Sequence, residues 1–128
     1  MEKPKFGSVI AVDFDGTCVD FQFPNVGKDI PGAVDVLKKL VLAGYKIVLW
    51  TCREDHPTNI NKRYLTEAVK WFEDNGIKLH GVNQLPFEDD IFKQDWGFSS
   101  RKLHAAVYVD DKNIGGFVGW DNVEKMLL

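Results

Sequence analysis

Ser8-Val9-Ile10-Ala11-Val12-Asp13-Phe14-Asp15-Gly16-Thr17 joins a short β-branched apolar run to two carboxylates and a glycine. A continuous apolar run, without alternation, reads as a strand covered on both faces, the pattern of a parallel sheet. Three further stretches repeat the design. Tyr45–Trp50 runs into Thr51, Ala105–Val109 runs into Asp110, and Ile77–Val82 is a weaker case. Helical periodicity separates these runs. Pro31 fits the first turn of a helix carrying Ala33, Val34, Leu37, Leu40 and Val41, with Gly44 at its end. A second helix is predicted from about Asn61 to Asp74, with Tyr64, Leu65, Ala68, Trp71 and Phe72 facing the core. Asp121 is expected to cap a final short helix bearing Val123, Met126 and Leu127. Strands alternating with helices predict an α/β fold: a three-layer Rossmann-like sandwich with a mostly parallel sheet.

In such sheets ligands bind beyond the carboxyl ends of the strands. Three of the four runs discharge polar groups there: Asp13 and Asp15, then Thr51, then Asp110 and Asp111. In extended chain, Asp13 and Asp15 point the same way, and Gly16 permits the turn that keeps them near one centre. Four acids in one small space repel unless protons or a cation intervene. Oxygen ligands without His or Cys favour Mg²⁺. A carboxylate can also attack a phosphoryl group to give an aspartyl-phosphate, which water then hydrolyses. Such a reaction needs donors and positive charge around the transferring group. Thr51 and the amides after Asp13 offer donors, and Lys102 offers charge. Asp15 offers proton transfer to the leaving oxygen and from the attacking water.

Asp13-Phe14-Asp15-Gly16-Thr17, Thr51 after an apolar strand, Lys102, and Val109-Asp110-Asp111 resemble, in that order, the four motifs of the haloacid dehalogenase-like (HAD) superfamily. Trp50-Thr51-Cys52-Arg53 and Asp111-Lys112-Asn113-Ile114-Gly115-Gly116 also resemble stretches of its small bacterial and phage members. The resemblance covers about residues 8 to 116. It implies a Mg²⁺-dependent phosphate monoester hydrolase with Asp13 as nucleophile and metal ligand. Asp15 would be the acid/base and bind metal through its backbone carbonyl. Thr51 and Lys102 would hold and neutralise the phosphoryl group, with Thr17 and Arg53 as further substrate contacts. Asp110 and Asp111 would complete the metal shell. Asp two residues after the nucleophile points to phosphatase rather than dehalogenase chemistry. Arg101, beside Lys102, is the competing choice for the neutralising base.

Only Cys18 to Ile30 separates the first strand from the first helix, too little for a folded cap over the site. The stretch Asn83 to Ser100 is long enough for a loop but not a domain. A capless site suits a large phosphorylated substrate, or a homo-oligomeric partner that covers it. Nucleic-acid end phosphatase and a non-catalytic phosphoacceptor or binding module are the alternatives. Receiver domains share the ingredients, but they open with the acidic pair and place the phosphorylated Asp later, the reverse of the order here. Metal-dependent glycosyltransferases also use Asp-Xaa-Asp but have no need of Thr51, Lys102 and Asp110.

Some groups attract a plainer reading. Arg53 reaches either a substrate or a surface salt bridge. Asp89-Asp90 follows no apolar strand and reads as a solvated loop. His56, His80 and His104 lack metal-site spacing. The aromatic residues from Phe87 to Phe98 read as packing. Cys18 and Cys52 are too few for a disulfide framework, and free thiols suit a cytoplasmic protein. The 128 residues fit a single domain able to bury its own core. The net charge of −3, from 16 basic and 19 acidic residues, gives no general footprint for nucleic acid or a membrane surface. No apolar run reaches the length of a membrane span.

Overall fold

A computed structural model describes residues 1–128. Four strands, β1 (Val9–Val12), β2 (Lys46–Leu49), β3 (Gly81–Val82) and β4 (Val107–Val109), form one all-parallel sheet in the order β3-β2-β1-β4. Val12 stands level with Leu49 on one side and Val109 on the other. The chain therefore leaves three neighbouring strands at the same height. That level edge brings Asp13, Trp50 and Asp110 side by side.

Right-handed crossovers decide which face each helix covers. The path from β1 to β2 to β3 moves steadily one way, so α1 (Ala33–Leu42) and α2 (Tyr64–Asp74) lie on one face. Ile10, Val12, Ile47 and Leu49 point into that face and pack with Val36, Leu37, Leu40, Ala68 and Phe72. Each buried Val, Leu, Ile or Phe side chain among them contributes about 1.5–3 kcal/mol. The chain from β3 back to β4 travels the opposite way, so it must cross the other face. It does so as residues 83–106, which hold a short 3-10 turn (Phe87–Asp89) and α3 (Ile91–Trp96). Ala11 and Val48 point to that side and meet Leu103, Leu85 and Tyr108. α4 (Trp120–Leu127) returns to the first face through Trp120, Val123 and Leu127. No helix is long and apolar enough to cross a membrane.

The three layers are thus unequal. The layer beneath α3 is thin, and the aromatic residues assigned above to packing are largely left outside it. Phe87, Trp96 and Phe98 are 62%, 70% and 55% exposed; Phe92 alone is half-buried, edge-on to His104. Asp89 also departs from expectation. It is half-buried, accepts from Lys46 Nζ at 3.0 Å and pairs with His80, tying the return segment to β2.

Several boundaries shift for local reasons. Gly32, at φ 90°, caps α1, so Pro31 precedes the helix instead of opening it. α2 starts at Tyr64 because the preceding residues are held in turns, with His56 Nδ1 accepting from the amides of Thr58 and Asn59. Gly119 takes the cap position of α4, and Asp121 sits in its first turn. β3 pairs only over Gly81–Val82, with flanking bonds from His80 N to Ile47 O and Asn83 N to Leu49 O.

Candidate functional site

The chain leaves β1 toward β2 on one side and has β4 on the other, so the β1/β4 boundary is the switch point of the sheet, where α/β folds open a crevice. Asp13 and Asp110 stand at that boundary. Asp13 N donates to Val109 O at 2.9 Å, locking the two strand ends together. The carboxylate of Asp13 accepts from Thr17 Oγ1 at 3.1 Å. Asp110 Oδ1 accepts from Lys112 N at 2.9 Å, and Asn113 Nδ2 donates to Asp110 O at 2.9 Å. That turn folds Asp111 back toward Asp13.

Carboxylate oxygens of Asp13, Asp110 and Asp111 lie within 4.8 Å of one another. At that spacing each charged pair repels by roughly 3 kcal/mol at an effective dielectric of 20. Without a counter-ion they cannot all be ionised. Burial first, then the Asp110 charge and the Asp111 carboxyl, push Asp13 up to about 8 from an ordinary 3.8. Asp111 Oδ1 is buried without a hydrogen-bond partner. An orphaned carboxylate oxygen costs about 1–3 kcal/mol or more unless something binds it. Three hard oxygen donors, one of them unsatisfied, fit a Mg²⁺-like cation.

Gly16 sits at φ 83°, and a Cβ there would stand 2.1 Å from Asp111 Oδ2. The glycine is therefore required twice, for its backbone conformation and for the space Asp111 occupies. Gly16→Ala is expected to cost about 1–3 kcal/mol in denaturant melts, because it adds backbone strain and displaces the carboxylate.

Arg53 departs most from expectation. Its side chain is neither a substrate arm nor a surface ion pair, since it is only 1% exposed. Nε donates to Asp15 Oδ2 and Nη2 to Asp15 Oδ1, both at 2.8 Å. Nη1 donates to Tyr64 O at 3.1 Å and Nη2 to Asn25 O at 3.0 Å. The guanidinium also lies 5.2 Å from the Phe14 ring centre and 5.1 Å from that of Phe23. One side chain thus joins the β1 exit, the 19–30 loop and the start of α2. Asp15 is correspondingly committed. Asp111, not the Asp15 side chain, supplies the third carboxylate of the cluster. Two of the four lone-pair positions of Asp15 remain for other partners.

Thr17 is fully buried. Its hydroxyl holds Asp13 and its carbonyl accepts from Trp120 Nε1 at 2.8 Å, so it positions the carboxylate and does not touch a substrate. Thr51 lines the cleft that also holds Asp13 and Asp110. Its amide donates to Asn83 Oδ1 at 2.8 Å, and its Oγ1 accepts from Arg53 N at 3.1 Å. Sequence reasoning overlooked Asn83. The available signal was an Asn directly after a strand, at φ 55°, a left-handed position that Asn tolerates better than most residues.

Lys102 does not join the acids. It is exposed, with Nζ 5.2 Å from the Tyr108 ring centre, and it lines a separate cleft with Arg101 and Trp50. The exposed cation beside the acids is Lys112, whose Nζ lies 3.7 Å from Asp111 Oδ2 and 5.1 Å from the Phe21 ring centre. Cys18 is buried, donates to Asp13 O at 3.3 Å, and has its thiol pushed up by burial, then by Asp13. Cys52 is exposed at the cleft. The acids open into a cleft of about 610 Å³ walled by Phe21, Phe23, Trp50 and Thr51.

No protein-family model and no curated protein matches the chain. A solved structure of a conserved protein from Bacteroides thetaiotaomicron is similar, with 36% sequence identity and a TM-score of 0.77. The match covers 94% of this chain and 88% of that one. The chain therefore belongs to the same family as this conserved Bacteroides thetaiotaomicron protein.

Proposed function

We propose that the protein is a Mg²⁺-dependent phosphate monoester hydrolase of the HAD type, acting through a phosphoryl group carried on Asp13. The observation that carries this reading is the carboxylate cluster at the switch point, with its unsatisfied Asp111 oxygen. Asp13, Asp110 and Asp111 would hold the cation. When bound, Mg²⁺ supplies charge neutralisation for a phosphate that these acids would otherwise repel.

Asp13 would attack phosphorus while the bond to the leaving alkoxide breaks. Thr17 Oγ1 fixes the attacking carboxylate at one oxygen. Asp15, held as the anion by Arg53, would take a proton from the water that cleaves the phospho-Asp13 bond, while the leaving alkoxide takes its proton from solvent. Thr51, set by Asn83, would donate to a phosphoryl oxygen. Lys112 is the cation nearest the acids. With Arg53 committed to Asp15 and only Lys112 beside the acids, the metal, when bound, would supply most of the positive charge. Two free thiols agree with a cytoplasmic, reducing setting.

Phosphate release from a panel of phosphate monoesters, with and without Mg²⁺, tests the reading. Metal-dependent turnover is expected. No turnover, with Mg²⁺ still raising the melting temperature, would indicate a phosphate-binding module instead.

The pH dependence follows from Asp13. Its folded value, about 8, lies above the unfolded 3.8, so the ion-free native state binds an extra proton between these values. Its contribution to stability is whole below about pH 4 and declines as pH rises toward 8. Mg²⁺ must displace that proton, so affinity should rise by up to about tenfold per pH unit and level off above pH 8. Thermal melts with and without Mg²⁺ should diverge more near pH 8 than near pH 5. Equal divergence at both would contradict the assignment of Asp13 as a ligand.

A further inference from the structure

The cations of the return segment gather where no ion pair holds them. Lys93, Arg101 and Lys102 line one cleft, with Ser99, Ser100 and Trp50. None of the three makes an ion pair, although the chain carries net charge −3 and most other cations near a carboxylate do. One carboxylate, Asp90, shares the cleft and caps α3, accepting from Lys93 N at 3.1 Å, so the cations outnumber it three to one. Three cations without ion-pair partners, against one carboxylate and with two hydroxyls in a concavity, suit an anion by ordinary electrostatics.

The position of this cleft gives it a use. Trp50 walls both it and the acidic cleft. Asn83, on the basic side, accepts from the Thr51 amide on the acidic side. The two clefts therefore adjoin across the β2 exit. The basic one measures about 140 Å³ against about 610 Å³, so it takes a small charged group while the larger cleft takes the body of a ligand.

We infer that the basic cleft of Lys93, Arg101 and Lys102 binds a second anionic group of the substrate, making the preferred substrate a phosphate monoester that bears another phosphate. Its use in catalysis rests on the proposed hydrolase reading; the anion site itself does not. The second phosphate belongs either to a small bisphosphate or to the next linkage of a 5′-phosphorylated oligonucleotide. Both place a second phosphate at short range from the first, dianionic in the bisphosphate and monoanionic in the linkage.

The anion site is tested without metal. In excess chelator the acids repel phosphate, so inorganic phosphate should shift the backbone amides of Ser99 to His104 in NMR titrations. The shifts should vanish in the double variant Lys93→Ala, Arg101→Ala. Their absence in the native protein, or their persistence in the variant, would overturn the site. With Mg²⁺, butanediol bisphosphate should show a KM about tenfold below that of butyl phosphate. The double variant should remove that difference and leave butyl phosphate unchanged. Equal KM values for the two esters in the native protein would overturn the substrate assignment. A 5′-phosphorylated dinucleotide, run in parallel, identifies the source: a KM below that of the bisphosphate favours the nucleic-acid end. Phosphate shifts without turnover of any ester would support the anion site while refuting the hydrolase.

Discussion

Asp13→Asn is expected to lower phosphate-ester turnover by about 10⁴-fold or more, as loss of a covalent nucleophile does. The same change should leave the fold intact and, near pH 8 without metal, make it more stable. The two effects have one cause. Asn keeps the shape of Asp, and its side-chain oxygen can still accept from Thr17 Oγ1. It removes the group that burial, and then Asp110, destabilise in its charged form. Discounted for solvent screening at this half-buried position, the gain should be about 1–2 kcal/mol, or several degrees in melting temperature. Mg²⁺-dependent stabilisation should largely disappear. A variant that retains normal turnover would exclude Asp13 as nucleophile. One that is inactive because it is less stable would instead assign Asp13 a structural role.

Arg53→Ala should cost about 3–5 kcal/mol in urea or guanidinium unfolding. It would leave Asp15 buried without its counter-charge, and removing one partner of a buried ion pair has that cost. The Tyr64 and Asn25 carbonyls would lose their donors as well. Arg53→Lys should recover little, because an ammonium cannot match the paired bonds to both Asp15 oxygens and still reach the two carbonyls. Asp15→Asn should be milder than Arg53→Ala, since an amide oxygen still accepts from the guanidinium. A double-mutant cycle between the two positions should give a coupling well above 1 kcal/mol. Additive effects would mean that the clamp contributes little to folding.

This clamp also shows where the sequence stopped being informative. Strand identity was legible because Val9–Val12, Lys46–Leu49 and Val107–Val109 are apolar runs that end in polar residues, and burial on both faces leaves that mark. The convergence of Asp13, Thr51, Asp110 and Asp111 followed from the rule that parallel strands present their carboxyl ends together. Side-chain direction had no such mark. Arg53 follows Thr51 by two residues, and nothing in the spacing separates a guanidinium turned to solvent from one folded beneath Phe23. Thr17 gave the same difficulty, because a hydroxyl beside an active carboxylate reads equally well as a substrate ligand or as a brace.

Lys102 is a third case. Its place before β4 was readable, but the return segment crosses the face opposite α1 and α2, and that crossing carries the lysine to the far side of Trp50. Three helices cover one face and one short helix the other. This imbalance follows from a sheet order, β3-β2-β1-β4, that no local pattern encodes. The same thin layer explains the exposed Phe87, Trp96 and Phe98, which periodicity alone could not distinguish from core.

The central claim is that Asp13 carries the phosphoryl group. The most direct measurement is an acid quench during steady-state turnover of p-nitrophenyl phosphate with Mg²⁺, followed by mass spectrometry of the peptide containing Asp13. That peptide should gain the mass of one phosphoryl group, with the gain absent when Mg²⁺ is withheld. Asp15→Asn should increase the trapped fraction, because the water that clears the intermediate loses its base. Sustained turnover with an Asp13 peptide that stays unmodified in both the native protein and Asp15→Asn would contradict it.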